Sequence, residues 1–140
     1  MVPLVVQVPG ARTGIDHSLV GTIDLLPTLL ALTQTLAPSQ LDGLDLSALV
    51  RTGQPVLPRI LFSDTWLISR TGELFTEIAA AFDGRRKFVV DRRRQTRSLV
   101  DQAELGHNPP NLIDREAPGP LRDHLLRYLE ETGGQVLDAP

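Results

Sequence analysis

The sequence predicts an α+β protein: an N-terminal strand and helix, followed by a small antiparallel sheet of about four strands packed by a C-terminal helix. Three observations carry this expectation. Val2–Val8 is a nearly continuous apolar run, short β-type runs punctuated by turn residues fill positions 59–101, and Leu121, Leu125, Tyr128 and Leu129 recur at helical spacing near the C-terminus.

Each element has its own sequence logic. An apolar run such as Val2–Val8 is the pattern of a strand covered on both faces, and such a strand rarely opens a protein. Pro9-Gly10 stops it, and a polar loop leads to Asp24, placed to cap a helix whose first turn accepts Pro27 without losing an amide donor. Leu26, Leu29 and Leu30 then share a face that would lie on a sheet, so Leu29→Asp is expected to unfold or aggregate the chain. Ala37–Pro58, with five Pro or Gly residues, reads as a loop around a helical turn at Leu46–Val50.

The second half is strand-rich. Arg59–Trp66, Phe75–Phe82, Arg86–Asp91 and Arg97–Asp101 are the expected strands, and Asp83-Gly84 is a hairpin signal between the second and third. Leu74–Phe82 is alanine-rich and competes as a helix, but its direct junction through Asp-Gly to a β run favours the strand. Pro118-Gly119-Pro120 starts the last helix and Gly133-Gly134 ends it. The expected organisation is one unit in two lobes, 1–58 and 59–140.

Composition narrows the function classes. A 140-residue chain that is 41% hydrophobic fits one domain with a modest core. Its formal charge of −3 gives no overall attraction to nucleic acid or to an anionic membrane. Without cysteine there are no disulfides and no thiolate ligands or nucleophiles. No run approaches the length of a membrane span and no signal segment is evident, so the chain as written is expected to stay in the cytoplasm.

The densest chemical feature is basic. Arg85, Arg86, Lys87, Arg92, Arg93, Arg94 and Arg97 fall within thirteen positions on the expected hairpin. Guanidinium forks bind sulfate, phosphate and carboxylate, so this hairpin is the candidate anion site. The competing reading is a solvated hairpin whose arginines pair with Asp83, Asp91 and Asp101 and guard a sheet edge. Nucleic-acid binding is disfavoured because exposed aromatics are not interleaved with the charges. No metal site is expected. His17, His107 and His124 are scattered, Asp42 and Asp45 lack the acidic density of a calcium loop, and Asp16 reads as a turn residue.

The string Val2-Pro3-Leu4, Pro9-Gly10, Ile23-Asp24-Leu25-Leu26-Pro27-Thr28-Leu29-Leu30 and Asp42-Gly43-Leu44-Asp45-Leu46 closely resembles the sulfatase family of the alkaline phosphatase superfamily. That family runs "VPL…PG", "(V/I)D(L/I)xPTLL" and "DGxSL" in the same order. Gly84–Phe88, Leu99–Leu112 and Leu121–Glu131 continue the resemblance at weaker spelling, with Val100 in place of a tyrosine and Leu105-Gly106 in place of Asp-Pro.

The resemblance implies part of an α/β sulfatase-like fold. It also implies that formylglycine, the divalent cation and the catalytic His and Lys residues belong to a portion upstream of the first strand. No C/S-x-P-x-R motif is present, and Asp16-His17 follows the "VPL…PG" segment whereas the family's metal-binding Asp-His precedes it. The expectation is a C-terminal fragment with no catalytic residues and no cofactor of its own. Its partner would be the missing N-terminal catalytic portion, with self-association through Val2–Val8 as a further contact. The alternative is a stand-alone anion-binding module using the Arg-rich hairpin.

Overall fold

The computed structural model describes residues 3–68, 70–71, 74–104 and 110–132. These divide into two compact units, Met1–Pro58 and Arg59–Pro140.

Unit 1 holds a 3-10 turn at Thr22–Asp24 running into helix α1 (Leu25–Leu32), and a short helix α2 (Ser47–Thr52). Residues 3–8 form no strand, which corrects the expected Val2–Val8 element; Val2 itself lies outside the described residues. The physical reason is the lack of a ladder, because a strand exists by pairing and no other segment of unit 1 is a strand among the described residues. Val5 is accordingly 88% exposed.

A polar clamp organises unit 1. Asp24 does not cap α1 as expected. Its buried carboxylate instead accepts the Gly21 amide at 2.7 Å and, twenty residues away, the Leu44 amide at 2.8 Å. One helical turn further on, the Thr28 hydroxyl donates to the Asp24 carbonyl at 2.6 Å and accepts the Leu46 amide at 2.9 Å. The loop thus lies so close to the start of α1 that a Cβ at position 43 would collide with the Ile23 carbonyl oxygen, which is why glycine stands there.

Apolar burial is sparse in the same unit. Leu46 is its one fully buried large aliphatic side chain among the described residues, while Leu26 and Leu29 of α1 face solvent.

Unit 2 is a four-stranded antiparallel meander in the order β1 (Leu61–Ile68), β2 (Leu74–Phe82), β3 (Arg86–Asp91) and β4 (Thr96–Asp101). Each expected strand is present, with ends moved by at most two residues. The alanine-rich segment is indeed a strand, pairing Ala79 with Val90 and Ala81 with Phe88. The β2–β3 and β3–β4 turns are each headed by aspartate. Asp83 Oδ1 accepts the amides of Arg85 and Arg86, and Asp91 Oδ1 those of Arg93 and Arg94, which satisfies donors that the turns would otherwise leave unpaired.

Helix α3 (Pro120–Glu131) covers one sheet face, packing on β2 and β3. Leu121, Leu125 and Leu129 are buried with Ala79, Ala81, Phe88, Val90 and Leu99 in one cluster. Tyr128 stacks on Phe62, ring centroids 4.6 Å apart, and its hydroxyl reaches Asp64 Oδ2 at 3.4 Å. The far edge of β4 is closed by a side chain. Asn111 Oδ1 accepts the Leu99 amide at 2.9 Å, Asn111 Nδ2 donates to the Arg97 carbonyl at 3.1 Å, and the Leu112 amide donates to the Leu99 carbonyl at 2.8 Å.

Two outcomes follow. Thr28→Val leaves the Leu46 amide buried without an acceptor and should cost about 1–3 kcal/mol, read as faster amide exchange across 44–52 while unit 2 keeps its protection. Leu29 is 56% exposed, so Leu29→Asp should leave the melting temperature of the isolated chain nearly unchanged, in contrast to the expectation from its helical face. Aggregation of that variant would show the helix face to be core after all.

Candidate functional site

The basic hairpin resolves into two separate ends. Arg85, Arg86 and Lys87 lie at the start of β3 and Arg92, Arg93 and Arg94 just beyond its end, some six residues and therefore about 20 Å apart along the strand. Arg97 stands on β4 opposite Val90. The seven side chains are thus not gathered on one ligand-sized spot.

Several are matched to carboxylates. Arg85 Nε donates to Asp101 Oδ2 at 2.9 Å, Arg86 Nη2 lies 2.8 Å from Glu116 Oε2, and the buried Arg92 Nη2 lies 2.7 Å from Glu77 Oε1. The Arg92 amide also donates to the Glu77 carbonyl at 2.8 Å, so this pair ties the β3–β4 turn to β2. Arg94 sits 3.8 Å from Asp91, and the Arg93 side chain is exposed. Lys87 lies on the other sheet face, between Phe82 and Val100.

Asp101 is the best-held of these acids. The Ala103 amide and then the Arg85 guanidinium hold its carboxyl below the usual carboxylate range. Its folded-state pKa is depressed, so its contribution to stability is fully present above the unfolded value near 3.8 and is lost as pH falls through the lower folded value. Asp101→Asn should therefore lower the melting temperature at neutral pH and flatten the fall in stability below about pH 4; an unchanged acid limb in a thermal pH series would remove Asp101 from that role.

Neither described histidine joins a cluster of possible metal ligands. His17 and His124 are exposed, and His107 lies outside the described residues. Asp16 Oδ1 accepts the Ser18 amide at 2.7 Å, the turn role expected of it, and Ser18 followed by Arg12 holds its carboxyl below the ordinary range. Among the described residues, no three His, Asp or Glu side chains gather into a cation site.

A second site is one the sequence did not announce. Unit 1 contains an open cavity of about 210 Å³ whose floor includes Leu4, Val6, Leu25, Leu29, Leu49 and Val50. Arg12 and Asp16 stand among its polar lining. The Arg12 backbone amide donates to the Val50 carbonyl, and its guanidinium lies over Gly53 beyond the end of α2, where a Cβ would collide with Nη1. Gly14 flanks it on another side, a Cβ there falling 3.2 Å from Nη2. Gly53 has φ +78° and ends α2 in the left-handed conformation that glycine adopts without strain. Nothing in the local sequence links Arg12 to Gly53, forty-one residues away.

The described chain is thus a helix-and-loop unit and, in a second unit, a small antiparallel sheet under a terminal helix. No protein-family model matches the chain, and no curated protein does. Solved structures do match. A candidate sulfatase from Bacteroides thetaiotaomicron overlaps 94% of this chain at 22% identity and a TM-score of 0.71, yet the overlap is 31% of that protein. A 2-O GAG sulfatase overlaps 89% of the chain at 22% identity and a TM-score of 0.60, 27% of its own length. A candidate sulfatase from Bacteroides fragilis overlaps 79% at 21% identity and a TM-score of 0.57, 25% of its length. The chain thus spans less than a third of the proteins whose fold it shares.

Proposed function

We propose that this chain is the C-terminal fragment of a sulfatase-like sulfuric ester hydrolase and that it is inactive alone. The observation that carries the reading is the unequal overlap: solved sulfatases match up to 94% of this chain, while it matches at most 31% of the first of them. The order of the Val2–Gly10, Ile23–Leu30 and Asp42–Leu46 motifs supports the C-terminal position. The apolar surface left on α1 and on residues 4–6 supports a partner, because single exposed leucines are ordinary but a group of them on one small unit marks an interaction surface. That partner is the missing N-terminal catalytic portion.

The formylglycine and divalent cation of the family do not fit the residues present. There is no cysteine to convert, no C/S-x-P-x-R sequence, and no acidic cluster among the described residues. This chain's contribution is structural: it supplies a layer of the fold and one wall beside the catalytic portion. The alternative, an anion-binding module built on the hairpin, has less support because Arg85, Arg86 and Arg92 each hold a carboxylate of their own.

The pure chain is expected to turn over neither nitrophenyl sulfate nor nitrophenyl phosphate at any concentration of added divalent cation. Its source DNA is expected to read, in frame and upstream of Met1, into a C/S-x-P-x-R motif. Clear turnover by the chain itself, or a stop codon with a ribosome-binding site directly before Met1, would overturn the reading.

A further inference from the structure

The cavity of unit 1 combines an apolar floor with a single positioned cation. Among the described residues the Arg12 guanidinium is seated between two glycines, and its charge acts on Asp16 without closing to an ion pair. The basic hairpin is different, its principal guanidinium groups each being taken up by a carboxylate. We infer that this cavity is a binding site for a small monoanion with an aromatic or short aliphatic body, the anionic end held by Arg12.

Size, charge and geometry agree on that ligand class. An apolar cavity of roughly 150 Å³ accommodates benzene, so about 210 Å³ takes one substituted ring or a chain of similar bulk. Val6, Leu25, Leu29 and Leu49 offer such a body only apolar contact. The planar guanidinium fork presents paired N–H groups that match a carboxylate or sulfonate. Asp16, among the polar lining of the same cavity, opposes a second negative charge on the ligand and so selects a monoanion over a dianion. Leu4, Val6, Leu25 and Leu29 also belong to the apolar surface that the proposed function gives to the N-terminal portion, so the inference concerns this chain by itself and its failure leaves that reading standing.

The test is calorimetric titration of the full chain with 4-ethylbenzoate and with 4-ethylbenzamide, which share shape and differ in charge. Saturable binding of the acid is expected, with the amide about tenfold weaker, as befits one partly exposed charge-assisted contact. Arg12→Gln should abolish that difference while leaving amide binding as it was. Leu29→Glu, at an exposed position on the cavity wall, should weaken the acid more than the amide by placing a like charge at the site. Circular dichroism of both variants establishes that they are folded. Equal affinity for acid and amide, an acid preference that survives Arg12→Gln, or no saturable binding would each overturn the proposal. So would sedimentation showing a dimer whose dissociation is required before either probe binds, since the cavity would then belong to a second copy.

Discussion

The close approach of α3 to the sheet is the contact on which unit 2 depends, and alanine makes it available. Ala79 and Ala81 leave almost no relief on β2, so Leu121, Leu125 and Leu129 settle between them and the larger Phe88, Val90 and Leu99 of the neighbouring strands. Large residues facing small ones across a layer fill volume without forcing unfavourable rotamers. The residues that make Leu74–Phe82 look helical are thus the ones that let a helix lie on it as a strand. Intrinsic propensity loses here to cross-strand pairing and to a helix that needs a smooth floor.

Unit 1 is held by a different kind of force. Asp24 and Thr28 fix the 43–46 loop through buried hydrogen bonds, while most of the leucines on α1 have no core to enter. Hydrogen bonds of this sort define geometry but add only modest net stability, whereas apolar burial is the dominant favourable term in folding. The two units therefore differ in what maintains them. Unit 2 carries its own apolar core, and unit 1 carries a precise polar joint with a largely uncovered apolar exterior.

The same difference sets how much was legible in the sequence. Every strand of unit 2, the Asp-Gly turn and the face of α3 could be read because alternation, turn chemistry and helical spacing are local signals. The Val2–Val8 run was misread as a strand because β-structure needs a partner and residue type alone supplies none. Asp24 was assigned the right neighbourhood and the wrong acceptor role, since its contact with the Leu44 amide joins positions twenty residues apart. The basic residues were correctly counted, but only the fold divides them between the two ends of β3 and matches Arg92 to Glu77. Arg12 carried no signal because one side of its seat, Gly53, lies far from it in the chain.

Asn111 has a consequence for which part of the sheet edge stays open to pairing. By presenting an amide as a surrogate peptide unit, it occupies the Leu99 amide and the Arg97 carbonyl on the outer side of β4. In the four-stranded order the opposite boundary is β1, so the cover over the middle of β4 makes the two edges of the sheet unlike. Covering part of an edge in this way removes positions at which a foreign strand would otherwise pair.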